Sequence, residues 1–250
     1  MIRRPISNLF LNIAAVISFV FVTALPAMAD NFVVYGASGK IGDIIVTEAL
    51  DRGHHVTGVS RNPENLTNAH PNFSAIAGDV TNLESMIAVI SGADAVILSL
   101  SGGGPGNTPE EATTARAAAT FVQAAKQLGD SAPHAVQVGG GTTLWVNGVW
   151  ALEELELEEG TPRHGQYYGH WMALETYKAS SGVKWTVMTP PPSAMQPRAR
   201  TGEYRLGEEE VLFNADGESF ISTEDFVVAL VDEAESGQSV GKRVAVGPPY

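Results

Sequence analysis

The 250-residue chain contains no cysteine and has few basic residues. The absence of cysteine excludes disulfide bonds, a catalytic thiol and thiolate metal sites. Lysine and arginine number 15 against 28 aspartates and glutamates, which gives a formal net charge of −13. Because an acidic surface repels phosphate groups, this balance argues against nucleic acid and anionic membrane surfaces as partners.

The first 29 residues differ in composition from the rest of the chain. Arg3 and Arg4 precede an apolar run over 9–25, and Ala27-Met28-Ala29 has the A-x-A form of a signal cleavage site. We therefore predict a signal peptide over 1–29 and a single domain over 30–250, exported to the periplasm or secreted. The apolar run is long enough that an uncleaved membrane anchor is the alternative.

Removal of the predicted signal makes the chain more acidic. The signal holds two of the 15 basic residues and none of the 28 acidic ones, so the remaining chain has a formal net charge of −15. Arg3-Arg4 also suggests the twin-arginine route, which carries folded, cofactor-loaded proteins.

The segment 31–61 has the pattern of a strand-helix-strand unit. An apolar run, Phe32 to Tyr35, is followed by the turn Gly36-Ala37-Ser38-Gly39-Lys40-Ile41-Gly42, an amphipathic stretch and a second apolar run, Val56 to Val59. Gly36 allows a sharp bend, Gly39 lets the backbone approach a pyrophosphate, and Gly42 lets the helix pack closely on the strand. The turn therefore predicts a dinucleotide site, and a plain tight turn is the alternative.

The end of the second strand indicates which dinucleotide is preferred. An acidic residue there would bind the ribose hydroxyls of NAD, but the strand ends in Ser60-Arg61-Asn62. An arginine matches a 2′-phosphate, and Lys40 offers a second positive charge. We predict that NADP(H) is preferred over NAD(H), unless Arg61 is merely a solvated loop cation.

Further candidate residues follow the other predicted strands. The third strand, Phe73 to Ala77, leads into Gly78-Asp79-Val80, where Asp79 either accepts from the adenine amino group or caps the loop. The fourth strand, Ala95 to Leu100, contains Ser99 and leads into a glycine-rich loop. Parallel strands bring these ends to one edge of the sheet, where ligands bind. We predict Asp79, Val80 and Ser99 as cofactor-binding residues.

The fifth and sixth strands end in segments suited to a flat ring. Ala135 to Val138 leads into Gly139-Gly140-Gly141 and Thr142-Thr143, and Trp185 to Thr189 leads into Pro190-Pro191-Pro192. Side-chain-free backbone would let a ring lie against the strand end, while the prolines would form a stiff wall. We predict Gly139 and Pro190 as cofactor-binding residues; a mobile glycine loop is the alternative.

The remaining patterns concern helices and the C-terminal part. A capping pattern at Thr108 to Glu111 predicts a helix that runs to Gly129, and Thr81 with Glu84 predicts another helix start. Aromatic residues at helical spacing over 167–178 predict core packing, with His170 as either a structural residue or a general acid. A hairpin over 204–213, a helix from Ser222 and a last strand, Arg243 to Val246, complete the chain.

Together these patterns predict an α/β fold. The expected architecture is a Rossmann-type, doubly wound parallel sheet with helices on both faces and a small C-terminal extension on the substrate side. We expect a small-molecule substrate and no metal site. The oligomeric state is left open.

The assembled motifs resemble the atypical short-chain dehydrogenase/reductase group, and within it the NAD(P)H-flavin reductases related to biliverdin reductase B and the NmrA-like proteins. The likeness rests on the glycine turn 36–42, Ser60 to Pro63, Gly78 to Val80 and Val138 to Gly141. The segments 200–205 and 221–225 resemble the flavin reductase branch in particular. The resemblance implies an NAD(P)H-dependent reductase, with a flavin as a possible substrate.

One departure from the alcohol-oxidising members limits the reaction. Those enzymes use a Tyr-x-x-x-Lys pair to move the hydroxyl proton, and no tyrosine here has a lysine four residues on. A flavin can take its proton from solvent, so we expect catalysis through ring alignment, with Thr142 and Tyr168 as candidate donors. The alternatives are a non-catalytic NADP(H)-binding redox sensor and an isomerase or dehydratase acting on a small carbonyl compound.

Overall fold

The computed structural model of the chain describes residues 29–104, 107–192 and 195–250. Within these ranges the strands are β1 (Asn31–Tyr35), β2 (His55–Ser60), β3 (Phe73–Ala77), β4 (Ala95–Leu98), β5 (His134–Val138), β6 (Trp145–Val146), β7 (Val149–Trp150), β8 (Trp185–Thr189), β9 (Arg205–Gly207) and β10 (Lys242–Gly247). The α-helices are α1 (Lys40–Asp51), α2 (Leu83–Ile90), α3 (Thr113–Leu128), α4 (Pro162–Lys178) and α5 (Thr223–Ser236).

Eight of these strands form one sheet in the order β3-β2-β1-β4-β5-β8-β10-β9, and β6 and β7 form a separate hairpin. Every pairing in the large sheet is parallel except that of β9 with β10. The sheet grows outward from β1 in both directions, so a crevice opens at the carboxyl ends of β1 and β4. The predicted Rossmann-type fold is confirmed.

Helices cover both faces of the sheet because the strands are apolar on both faces. Along β1, Phe32 and Val34 join the core beneath α1 and α5, whereas Val33 and Tyr35 join the core beneath α2, α3 and α4. Successive side chains of a strand point to opposite faces, so one short strand contributes to both cores. This three-layer packing fixes where each strand ends.

The predicted start of α3 was wrong by four residues, since the N-cap is Ala112 and not Thr108. The side chains of Thr108 and Glu111 do meet, at 3.2 Å, but the main chain between them only makes a turn, and the helix begins at Thr113. Thr113 instead bonds to the Gly103 carbonyl through its amide (3.0 Å) and its hydroxyl (2.6 Å). The capping residues thus close a loop against the glycine-rich segment before the helix starts.

The start of α2 also differs from the prediction. Asn82, not Thr81, is the N-cap, and its side chain accepts from the Ser85 amide at 2.9 Å. Thr81 is unavailable as a cap because its hydroxyl and its amide both donate to Asp79. The α5 helix begins after Ser222, whose side chain caps the Asp225 amide, as the sequence predicts.

The predicted hairpin over 204–213 does not form. Its first half, β9, pairs with β10, and its second half bonds to the β6 residue Trp145 through the Glu209 carbonyl and the Val211 amide, both at 2.9 Å. The unpaired edge of β10 and the backbone of Trp145 therefore supply the partners that a local hairpin would have supplied. This draws the C-terminal part of the chain against the segment that follows β5.

The predicted signal over 1–29 falls almost wholly outside the described residues, and it stays a prediction. Ala29 and Asp30 are described and immediately precede β1. Among the described ranges, no helix has the length and apolar character needed to cross a membrane.

Candidate functional site

The glycine turn between β1 and α1 has the tight geometry that the sequence predicts. Gly36 has φ +80°, and a Cβ on it would lie 2.0 Å from the Ser99 carbonyl oxygen. A Cβ on Gly42 would lie 2.0 Å from the carbonyl oxygen of Gly36, which itself accepts from the Gly39 amide at 2.9 Å. Side chains at Gly36 and Gly42 would therefore clash with main chain, so both glycines are required by the fold here.

The N-terminus of α1 faces outward from this turn without a side-chain cap. Gly39 is the N-cap, and no side chain bonds to the first-turn amides. Ser38, Gly39 and Lys40 are exposed, whereas Ile41 packs against the core beneath α1. Free amides at the positive end of a helix attract an anion, so the turn can hold a phosphate group.

A cavity of about 800 Å³ adjoins this turn. It runs along the carboxyl ends of β1 to β4 and reaches α3. Its lining includes the predicted residues Gly36, Ser38, Gly39, Arg61, Asp79, Val80 and Ser99, together with Tyr35, Thr113 and Arg116. The structure thus brings together seven residues that the sequence places far apart, at the edge where α/β proteins bind ligands.

Two arginines reach this cavity. Arg61 follows β2 and Arg116 lies on α3, and both are exposed. Sequence reasoning missed Arg116, because nothing in the helix pattern separates it from an ordinary solvent-facing cation. Together they add positive charge to the lining of this cavity.

Asp79 is committed to the loop that follows β3. Its Oδ1 accepts from the amide (2.9 Å) and the hydroxyl (2.8 Å) of Thr81. These bonds lower the pKa of Asp79, with smaller contributions from Arg116 and Arg61. These contacts are those of a loop cap, the second of the two roles that the sequence allows for Asp79. The residue also lines the cavity.

Lys40 lies in a neighbouring cavity of about 440 Å³, together with residues 65–68. The two cavities share Ser38 and Gly39 at the glycine turn. The predicted second positive charge thus lies beside the turn but does not line the cavity that Arg61 and Arg116 reach.

The ends of β5 and β8 meet closely beyond the cavity. A Cβ on Gly139 would lie 2.5 Å from Thr189 Oγ1, and one on Gly141 would lie 2.4 Å from the Pro191 carbonyl oxygen. The predicted residues Gly139 and Pro190 therefore belong to one junction, and only glycine allows the two strand ends to approach this closely. The junction is not part of the lining of either cavity described above.

His170 projects from α4 between two glycine-rich loops. A Cβ on Gly140 would lie 2.8 Å from the His170 Cβ, and one on Gly102 would lie 3.0 Å from its Nε2. Burial lowers the pKa of His170 to about 4, so the imidazole is neutral at pH 7. The sequence leaves open whether His170 is a structural residue or a general acid. The structure places it where the loops after β4 and β5 converge.

Three buried polar atoms at this junction have no hydrogen-bond partner among the described residues: Thr142 Oγ1, Thr189 Oγ1 and His170 Nδ1. Buried polar groups are nearly always satisfied, and each exception asks for an explanation. These three atoms lie close to glycine backbone that carries no side chains. A flat, polar ligand could supply the hydrogen-bond partners that they lack.

The turn after β5 is held by a residue from the far end of the chain. Arg243 on β10 donates to the Thr143 carbonyl oxygen at 2.5 Å and pairs with Glu209. Its side chain is 1% exposed, and burial lowers its pKa to about 10. The guanidinium group is therefore still charged at neutral pH. Sequence reasoning missed Arg243, which lies 100 residues from Thr143 and reads as the start of a strand.

Tyr168 on α4 lies among other aromatic rings. Its ring centroid lies 4.6 Å from that of His164, 6.3 Å from that of Trp150 and 6.5 Å from that of Trp171. Trp150 in turn donates its indole N–H to the Thr143 carbonyl oxygen at 3.3 Å. Tyr168 therefore belongs to an aromatic cluster, His164, Trp150, Tyr168 and Trp171, that is linked to the turn through Trp150.

The described part of the chain contains no group of His, Asp and Glu side chains that could hold a metal ion. The chemistry available at this edge is thus that of backbone amides, arginines, hydroxyls and a neutral imidazole. Groups of these kinds can bind a phosphate and form hydrogen bonds with a polar ring.

Comparison with solved structures agrees with this description. A proposed epimerase from Bacteroides thetaiotaomicron has a TM-score of 0.76 and 28% identity, over 89% of this chain and 98% of that one. A proposed exported protein from Burkholderia pseudomallei has a TM-score of 0.69 and 28% identity, over 87% and 99%. A proposed NADH-flavin reductase from Streptococcus pneumoniae has a TM-score of 0.70 and 26% identity, over 88% and 100%.

The family profile described as NAD(P)H-binding matches residues 36–234, from the glycine turn almost to the end of α5. The match therefore covers the helix N-terminus, the arginine-lined cavity and the β5–β8 junction together. The chain belongs to the NAD(P)H-binding family.

Proposed function

We propose that the protein is an NADP(H)-dependent reductase that transfers hydride to a flat conjugated acceptor such as a flavin. The observation that carries this proposal is the continuity of one sheet edge. An open helix N-terminus and an arginine-lined cavity lie at one end, and a glycine-rich, neutral junction lies at the other. A dinucleotide bound along this edge would present its nicotinamide ring at the junction.

Preference for NADP(H) is supported by the charges at the nucleotide end. Arg61 and Arg116 share a cavity with Asp79, whose carboxylate is already engaged by Thr81. The segment after β2, Ser60-Arg61-Asn62, offers no carboxylate to the ribose hydroxyls, while two guanidinium groups attract a 2′-phosphate. The Streptococcus pneumoniae neighbour is named for NADH. The proposed preference for NADP(H) therefore rests on the side chains of this chain and not on that neighbour.

A flat acceptor is supported by the junction and the aromatic cluster. Gly139, Gly140 and Gly141 leave backbone bare, and the unsatisfied Thr142, Thr189 and His170 atoms could bond to ring carbonyl or nitrogen atoms. The aromatic cluster beside the turn offers faces on which a ring would stack. Thr142 and Tyr168 remain our candidate donors, and His170 joins them as a neutral donor or acceptor.

The missing Tyr-x-x-x-Lys pair favours flavin-like acceptors over alcohols and sugars. Reduction of a flavin needs a hydride from the dihydronicotinamide and a proton that solvent can deliver, so no activated tyrosine is required. Catalysis then comes mainly from holding two rings in contact.

The proposal is tested by NADPH and NADH oxidation with FMN, riboflavin and a series of quinones, using the wild type and Arg61→Glu. We expect turnover with at least one flat acceptor and a loss in Arg61→Glu that is confined to NADPH. Nucleotide binding without turnover on any acceptor would instead support the redox sensor. Turnover of a small carbonyl compound without net oxidation of nucleotide would support the isomerase.

We also propose that the protein is exported. The support is the predicted signal over 1–29 and the 28% identity with a protein from Burkholderia pseudomallei that is itself described as exported. Replacing Arg3 and Arg4 by lysine while following export tests the twin-arginine route. Undiminished export of that variant would contradict this route.

A further inference from the structure

The residue that follows the predicted cleavage site is already part of the folded domain. Asp30 immediately precedes β1, and its backbone N–H donates to His54 Nδ1 at 3.1 Å. The His54 side chain is 3% exposed and stacks on Phe32, with ring centroids 4.4 Å apart. Ala29, one residue earlier, is exposed. The polypeptide thus passes from solvent into a polar pocket at the Ala29–Asp30 peptide bond.

The contact with Asp30 fixes the hydrogen-bonding role of His54. Because Nδ1 accepts a hydrogen bond, Nε2 carries the ring proton and donates to Glu235 Oε1 at 2.7 Å. The second oxygen of Glu235 accepts from Arg52 at 2.9 Å, and Arg52 also donates to Asp232 at 2.6 Å. A connected polar chain therefore joins the first residue of the domain to the ends of α1 and α5.

Negative charge predominates around Asp30. Burial raises the pKa of Asp30, and the carboxylates of Asp94 and Glu235 raise it further, while His54 opposes them. Asp94 accepts from the Asn31 amide at 2.8 Å, so its carboxylate lies beside the start of β1. Across these elements Arg52 is the cation that faces Asp232 and Glu235. The pocket around the Asp30 nitrogen would accommodate one more positive charge.

We propose that cleavage after Ala29 creates an α-ammonium group on Asp30 that is held by His54 and the surrounding carboxylates, and that this new terminus stabilises the mature domain. The step is a hydrolysis by a signal peptidase that recognises the Ala27-x-Ala29 pair. Water adds across the Ala29–Asp30 amide, the C–N bond breaks, and Ala29 leaves with a carboxylate. The Asp30 nitrogen then offers three N–H donors and a positive charge where the uncut chain offers one neutral N–H.

This inference rests on the export proposed above and not on the nucleotide chemistry. No helix or strand of the described fold begins before Asn31, so a chain starting at Asp30 keeps every element. The stabilising effect can therefore be measured on purified protein, whatever the acceptor or the cofactor preference proves to be. A failure here would leave nucleotide binding untouched, and the reverse also holds.

The test compares three forms of the mature chain. The first starts at Asp30 with a free amine, the second is the same chain acetylated at that amine, and the third keeps Ala27 to Ala29. We expect the free-amine form to have a melting temperature about 2–4 °C above the other two, which is the usual effect of a modest interaction in a domain of this size. Lys178→Gln removes one positive charge at an exposed site on α4 and controls for net charge.

Two variants assign the effect to the pocket. In Asp94→Asn and in Glu235→Gln we expect acetylation to change the melting temperature by no more than about half of its effect in the wild type, because one of the two carboxylates that attract the ammonium is neutral. The intact mass of the exported protein should correspond to a chain starting at Asp30. Equal melting temperatures of the free and acetylated wild-type forms would overturn the proposal, and so would a mature N-terminus at another residue.

Discussion

The proposed nucleotide end and the proposed acceptor end of the sheet edge differ in the kind of groups that they present. At the nucleotide end, beyond β1, β2 and β3, the groups are exposed and charged, as with Arg61, Arg116 and the open N-terminus of α1. At the acceptor end, beyond β5 and β8, they are neutral and packed: three glycines, two threonines and His170. The first end can attract an anion through its field, whereas the second can only select a ring by its shape and its hydrogen bonds.

The two ends also differ in how the chain builds them. The glycine turn is made by contiguous residues. A Cβ added at Gly36 would clash with the Ser99 carbonyl, and one added at Gly42 would clash with the Gly36 carbonyl. The acceptor end depends on contacts between distant segments: Arg243 with Thr143, Gly102 and Gly140 with His170, and Gly139 with Thr189. A change in the first should therefore act on affinity, and a change in the second on turnover and stability.

The largest effect should come from closing the glycine turn. Gly36→Ala places a methyl group 2.0 Å from the Ser99 carbonyl oxygen at φ +80°, so the turn must open. We expect a loss of about 3 kcal/mol in unfolding free energy and at least about a 100-fold loss of NADPH affinity. Gly53→Ala is the matched control, since Gly53 has φ +91° but nothing within 4 Å of an added Cβ. Similar losses in both variants would show that the close contact between Gly36 and the Ser99 carbonyl is not the cause of the effect.

Acid should weaken the acceptor end before it weakens the nucleotide end. The pKa of His170 is about 4 in the folded protein and 6.5 when unfolded, so between these values the unfolded chain binds the extra proton. His170 thus contributes stability that is present above pH 6.5 and is lost as the pH falls to 4, by about 3 kcal/mol in all. Chemical denaturation across this range should show a flatter acid limb in His170→Gln.

The control for that experiment is the exposed residue His55. His55→Gln should retain the wild-type acid limb, because it also removes one imidazole but from an exposed position that leaves the surroundings of His170 unchanged. Parallel acid limbs for wild type and His170→Gln would contradict the enclosure of His170.

Reversing the charge at the nucleotide end should change which nucleotide binds. Arg61→Glu should lower NADPH affinity by about 30-fold, near 2 kcal/mol, and NADH affinity by less than about 3-fold, since only NADPH carries the 2′-phosphate. Isothermal titration of both nucleotides measures this. Lys178→Glu makes the same charge change on α4, beside Glu175, and should alter both affinities slightly and equally. An equal loss of both nucleotides in Arg61→Glu would remove Arg61 from the site.

The smallest predicted change separates a functional hydroxyl from a structural one. Thr142 Oγ1 has no partner among the described residues, whereas Thr143 Oγ1 donates to the Gly140 carbonyl oxygen at 2.7 Å. Thr142→Val should keep its stability within about 0.5 kcal/mol and lose about 10-fold in turnover, while Thr143→Val should lose about 1 kcal/mol of stability. Steady-state kinetics and denaturation of both variants test the contrast, and unchanged turnover in Thr142→Val would exclude Thr142 as a donor.

The features that could be predicted from the sequence are those that short segments determine. The glycine turn, the apolar strands, the doubly wound parallel sheet and the cavity residues that end its strands all follow from local patterns. Arg116 could not be distinguished from other helix cations, and Arg243 looked like an ordinary strand residue. Their roles depend on which segments the fold brings near them.

The wrong predictions have a similar cause. The capping pattern at Thr108 predicts a helix start, but Thr113 bonds to the Gly103 carbonyl earlier in the same β4–α3 connection, and the helix begins at Thr113. The expected hairpin over 204–213 does not form because β9 pairs with the edge of β10, while Glu209 and Val211 bond to the backbone of Trp145. In both places the backbone bonds to a partner that lies outside the short sequence pattern behind the prediction.

The central claim is that the nucleotide end holds NADP(H) through the open N-terminus of α1 and the guanidinium groups beside it. Calorimetric titration of the purified wild-type protein with NADPH and with NADH tests it most directly. We predict saturable binding of one molecule per chain, with NADPH bound at least about 10-fold more tightly than NADH. No measurable affinity for either nucleotide would contradict the claim.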